Sequence, residues 1–146
     1  MRALLLLASL MIAVPDREDP APKRAKSLEE QLVGQWVVVK QVISGKEAPD
    51  RAGGSYIFAR DTVQRVEAKG EIKDPPLKYR LDASKTPVAM DIVSVRGENF
   101  DIMAIVKLEG DVLTICYSLS DTRPLEFISP KTANAGLMQL RRLGKK

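Results

Sequence analysis

The sequence predicts an all-β fold: a small antiparallel up-and-down barrel of eight or nine strands, preceded by a short N-terminal capping helix. Three observations carry that expectation. From Gln35 onward the chain is a series of short apolar or alternating runs punctuated by Gly, Pro and Asp turn signals. No helical stretch between them is long enough for a right-handed parallel crossover, so neighbouring strands pair antiparallel. The only tryptophan, Trp36, opens the first run in a Gly34-Gln35-Trp36 step, and the last run ends in Arg141-Arg142. A guanidinium laid over an indole face closes one end of a barrel, and closure removes the strand edges of an open sheet.

Taken in order, residues 1–14 are expected to be a secretory signal, with Arg2 as the positive start and an apolar run from Leu4 to Val14. That run falls short of the about 20 residues a membrane-spanning helix needs. The small-x-small cleavage pattern is imperfect, because Met11 lies two residues before Ala13, and an uncleaved N-terminal anchor is the other reading. Residues 15–26 carry prolines and charges and almost no large apolar side chains, so they are expected to form a disordered linker. The domain proper is expected over 27–143. Ser27-Leu28-Glu29-Glu30 is a capping box that opens a short helix ending at Gly34, with Leu28, Leu32 and Val33 as an apolar side suited to plugging a barrel end.

Strands are expected at 36–43, 55–60, 63–68, 77–81, 88–95, 100–109, 112–118, 125–128 and 137–142. Leu77, Tyr79 and Leu81 alternate with Lys78 and Arg80, the pattern of a half-buried strand. Phe100, Ile102, Ala104, Val106 and Leu108 share a face opposite Asp101, Lys107 and Glu109, and Gly110-Asp111 makes a tight turn into the next run. The seven aromatic residues, Phe127 among them, all fall within these nine runs.

Composition removes several classes of function. A length of 146 residues allows one domain. The net charge of +4 arises from 23 basic and 19 acidic residues that are interspersed, without the basic block or exposed aromatic interleaving of a nucleic-acid binder. Cys116 is the only cysteine, so no intrachain disulfide and no Cys-rich zinc site can form. The chain has no histidine, which removes Ser-His and Cys-His dyads, metalloprotease motifs and the commonest transition-metal ligand.

Several short segments run in order over residues 32–142: Leu32-Val33-Gly34-x-Trp36, Gly45-Lys46-Glu47, Asp82-x-Ser84-Lys85-x-Pro87 with Asp91-Ile92, Gly110-Asp111-x-Leu113-x-Ile115-Cys116, Arg123-Pro124-x-Glu126-Phe127 and Leu140-Arg141-Arg142. In these the chain resembles an uncharacterised lipocalin-like domain family abundant in planctomycete bacteria. The resemblance implies a small calycin-type barrel exported from the cytoplasm and little more, since the family has no established activity. The Thr-Asp-Tyr loop motif typical of the wider lipocalins is absent.

The functional expectation is an exported, non-enzymatic barrel that binds a small apolar or amphipathic ligand, with no cofactor, no metal, no nucleic acid and no transmembrane span. Its rivals are a filled barrel serving as an interaction or structural module of the cell envelope and, third, an enzyme of unknown type. An eight-stranded barrel is wide enough either for one small ligand or for its own side chains. Inward-facing Tyr79, Phe100, Ile102, Val106 and Tyr117 are the candidate ligand contacts. Gly34, Trp36, Arg142 and Glu126 are given structural roles. Arg123 has two readings, a partner for Glu126 or a carboxylate anchor at the cavity base, and Asp91 is a third polar residue beside an apolar strand. Cys116, without a base beside it, is expected to be a buried small hydrophobe.

Overall fold

A computed structural model describes residues 26–93 and 100–144, the side chain of Phe100 excepted. The expected signal at 1–14 and all but the last residue of the expected linker lie outside the described residues. The described chain contains one α-helix, α1 (Leu28–Leu32), a 3-10 turn at Pro49–Arg51, and nine strands: β1 (Gly34–Ile43), β2 (Lys46–Glu47), β3 (Ser55–Phe58), β4 (Thr62–Val66), β5 (Leu77–Asp82), β6 (Val88–Val93), β7 (Phe100–Glu109), β8 (Val112–Ser118) and β9 (Ala135–Arg142). Every pairing is antiparallel, and β1 pairs both β3 and β9. The result is a closed eight-stranded up-and-down barrel, with β2 as an additional short strand on the far end of β1.

Period-two alternation sorts the side chains. Val38, Phe58, Val63, Met90, Ala104 and Leu113 belong to one buried interior cluster, and Leu77, Leu81 and Leu108 pack against it. The three-valine run of β1 breaks the alternation, and the pairing with β9 shows why: the register shifts between Val38 and Lys40. This bulge leaves Val39 exposed and turns Gln41 inward, where it is 7% exposed.

One end of the barrel is sealed as the sequence suggests. The Ser27 hydroxyl caps α1 by accepting from the Glu30 amide at 3.3 Å, and Leu32 and Trp36 are both fully buried. The Trp36 indole Nε1 donates to the Leu32 carbonyl at 2.8 Å. The Arg142 guanidinium lies 4.2 Å from the centre of the Trp36 ring and also donates to the Gln31 and Val33 carbonyls, satisfying the C-terminal end of α1. Gly34, with φ at +137°, lets the chain turn from helix to strand beneath that guanidinium.

Two sequence expectations are corrected. Residues 125–128 are not a strand: the 16 residues between β8 and β9 contain neither helix nor strand, and Phe127 is therefore the one aromatic residue that falls outside the expected pattern. Pro124 and Pro130 flank the segment, and proline cannot donate to a ladder. The segment instead crosses the outer face of β6–β9 as a strap. Beneath it Ala89, Ile105 and Cys116 sit side by side in register, each at most 1% exposed yet outside the interior cluster. These strands are thus buried on both faces. The Cys116 thiol donates to the Ile128 carbonyl at 3.4 Å, and Lys107 stands 4.8 Å over the Phe127 ring. The second correction is the partner of Arg123. It pairs with Asp91 of β6, which also binds Arg80 at 3.2 Å, and donates to the Ala104 and Met90 carbonyls at 2.7 and 3.2 Å. Glu126 is exposed and forms no ion pair among the described residues. Without helical geometry, residues three apart in the strap do not face one another.

The barrel has one weak seam. The β4–β5 ladder consists of two pairs, Thr62 with Lys78 and Val63 with Leu77, and the Tyr79 amide adds a bond to the Asp61 carbonyl. Its continuation would fall on Pro76 and Pro75, which have no amide proton. Beyond Val63 the two chains separate, and the Gln64 side chain bridges to the Asp74 carbonyl at 3.4 Å.

Candidate functional site

Above the Trp36 layer the interior is not filled. A cavity of about 280 Å³ is lined from β1 and β3–β9 and borders the β4–β5 seam. Its walls are apolar: Phe58, Val63, Leu77, Ile92, Ile115 and Met138, with Ile102 beside them. Its polar groups are Gln41, Tyr56 and Tyr117, together with Arg51, Arg65 and Asp74. Apolar walls with a few polar groups are the general composition of a small-molecule site, and the volume stands just below the usual range of about 300–1,000 Å³. A larger open notch of about 490 Å³ lies outside the barrel along the strap, walled in part by Leu125, which is 82% exposed.

Each polar group reaches the cavity for a local reason. The bulge at Val39 aims Gln41 inward, and its amide donates to the Tyr117 hydroxyl at 2.8 Å. Tyr117 can lie across the interior because its ladder partner is Gly136, where an added Cβ would stand 2.1 Å from the ring. Tyr56 and Arg65 are direct ladder partners on β3 and β4, two positions from the core residues Phe58 and Val63 and hence on the same face. Arg65 Nη2 lies 3.2 Å from Glu67 Oε1. Arg51 comes from the 3-10 turn at Pro49–Arg51, between β2 and β3.

Burial is the main cause that pushes the Tyr56 phenol above its ordinary pKa, while the positive charges of Arg65 and Arg51 pull the other way. Tyr79 behaves differently. Its ring packs edge-on to Phe58 at 5.5 Å, its hydroxyl donates to the Ala59 carbonyl at 2.9 Å, and burial, then Glu29 and Asp61, push it up to about 12.

Of the sequence candidates, Ile102 and Tyr117 line the cavity. Tyr79 and Val106 belong to the interior cluster but lie away from the cavity wall. The Phe100 side chain lies outside the described residues. Arg123 belongs to the strap and reaches from it to Asp91 on the outer side of β6. Tyr56 and Arg65 were missed although their parity with Phe58 and Val63 marks them as inward. Gln41 carried no such signal, because the bulge that turns it inward does not show in Val37-Val38-Val39.

The quoted sequence segments are mainly turn and closure chemistry. Asp82 accepts from the Ser84 hydroxyl and from its amide at 3.0 Å, and these bonds hold the Asp82 carboxyl below the usual carboxylate range. Gly110, with φ at +60°, makes the β7–β8 turn. Among the described residues no helix is long and apolar enough to cross a membrane, and no group of three acidic or cysteine side chains is placed to hold a metal ion. No protein-family model matches this chain, and no curated protein matches it.

Proposed function

We propose that this protein is an exported, non-enzymatic barrel that holds one small amphipathic molecule in its interior. The observation that carries this reading is the 280 Å³ cavity, whose apolar walls meet a set of polar side chains beside the β4–β5 seam. A side-chain-filled barrel would not leave that volume. The resemblance to the lipocalin-like planctomycete family and the apolar run at 4–14 support the same reading. The expected result of calorimetric titration with octanol and with octanoic acid is saturable one-to-one binding of at least one of them. Ile102→Trp, which fills the cavity, removes it while circular dichroism stays that of the native barrel. Absence of binding by both ligands would refute a ligand-binding role. Export is checked by N-terminal sequencing of protein from the cell envelope, where the first residue is expected near or within 15–26; recovery of intact Met1 in the soluble cytoplasm overturns it.

A second reading, a filled barrel acting as an interaction module, draws on the strap, where Leu119, Leu125 and Ile128 are each at least 50% exposed.

A further inference from the structure

The cavity carries charged side chains of both signs. Two guanidinium groups, Arg51 and Arg65, line it against one carboxylate, Asp74. Arg65 shares its charge with Glu67, whereas Arg51, an exposed residue at the cavity rim, is in no ion pair among the described residues. Beside them on the cavity wall is a half-buried donor, the Tyr56 hydroxyl, which forms no hydrogen bond among the described residues and opens to the cavity. The neighbouring hydroxyl, Tyr117, already accepts from Gln41. The Tyr56 hydroxyl is thus free to donate into the cavity, and both nearby cations favour negative charge beside it.

We infer that the ligand is a monoanionic carboxylic acid of short to medium chain, with its carboxylate held by Arg51, Arg65 and the Tyr56 hydroxyl and its tail against Ile102, Ile115 and Met138. This rests on the reading of the cavity as a ligand site. A carboxylate accepts two guanidinium donors and a hydroxyl at once, since its two oxygens offer about four lone-pair positions. Asp74 selects for a single charge, because the second charge of a phosphate monoester would be placed within reach of that carboxylate. The small volume selects for a short tail.

The test compares octanoic acid with octanol, which share a tail and differ in the head, by calorimetry at neutral pH. Wild-type protein is expected to bind the acid more tightly, by an amount that shrinks as salt is raised. Arg51→Gln combined with Arg65→Gln should weaken octanoate roughly tenfold and leave octanol within about twofold. Asp74→Asn should tighten octanoate by about two- to fivefold, a gain that a damaged fold cannot produce. Equal affinity for acid and alcohol, or no gain in Asp74→Asn, overturns the carboxylate site and leaves the binding barrel standing. Failure of both ligands to bind overturns the barrel reading itself.

Discussion

Trp36→Ala is expected to cost about 3–5 kcal/mol of stability, the usual penalty for removing a fully buried large aromatic side chain. The site has little means of collapsing into the hole, because Trp36 is fully buried, tied at its edge to the Leu32 carbonyl and covered on its face by the guanidinium of Arg142. Truncation also leaves the Leu32 carbonyl without its 2.8 Å donor. The cost extends past one side chain, since the indole is what α1 packs on. Chemical denaturation measures it as a shift in midpoint, and a midpoint equal to wild type would contradict the account of the sealed end. Arg142→Ala should cost less, about 1 kcal/mol, because that side chain is partly solvated and the cation–π contact is correspondingly screened.

The second large effect concerns the strap. Arg123→Met removes the bonds to Asp91, Met90 and Ala104 that hold residues 119–134 against the barrel. Hydrogen bonds involving charged groups contribute about 1.5–3 kcal/mol. Lifting the strap opens the layer over Ala89, Ile105 and Cys116 and little else, so the effect is best read at Cys116 itself. In the wild type this thiol is fully buried and burial pushes its pKa up, both of which slow its reaction. Labelling by an aromatic disulfide under native conditions should accelerate on the order of tenfold to a hundredfold in the variant. An unchanged labelling rate would show that Arg123 does not pin the strap.

Much of the barrel was legible because its strands obey a simple period. The inward set on β7 of Ile102, Ala104, Val106 and Leu108 follows from alternation alone, and the Trp36–Arg142 stack follows from what closing a barrel end requires. The strap was not legible, because its placement depends on what it docks against. Four residues with Leu125, Phe127 and Ile128 resemble a short strand until their surroundings are known. Arg123 was misplaced for the same reason: its charge pointed to a buried partner, and the partner proved to be on the outside of the sheet. At the cavity, Tyr56 and Arg65 obey the same parity as the core around them, whereas Gln41 does not, since a one-residue insertion in the ladder reverses every later side chain on β1.

The two prolines before β5 set the barrel's mechanics as well as its outline. Six or seven ladder pairs join each neighbouring pair of strands from β6 to β9, against two between β4 and β5. Thermal agitation of such a cylinder is therefore concentrated on one line, like the zip of a closed bag. That line runs past Arg65 and Asp74, so parting two pairs opens the cavity while the doubly covered wall of β6–β8 stays shut.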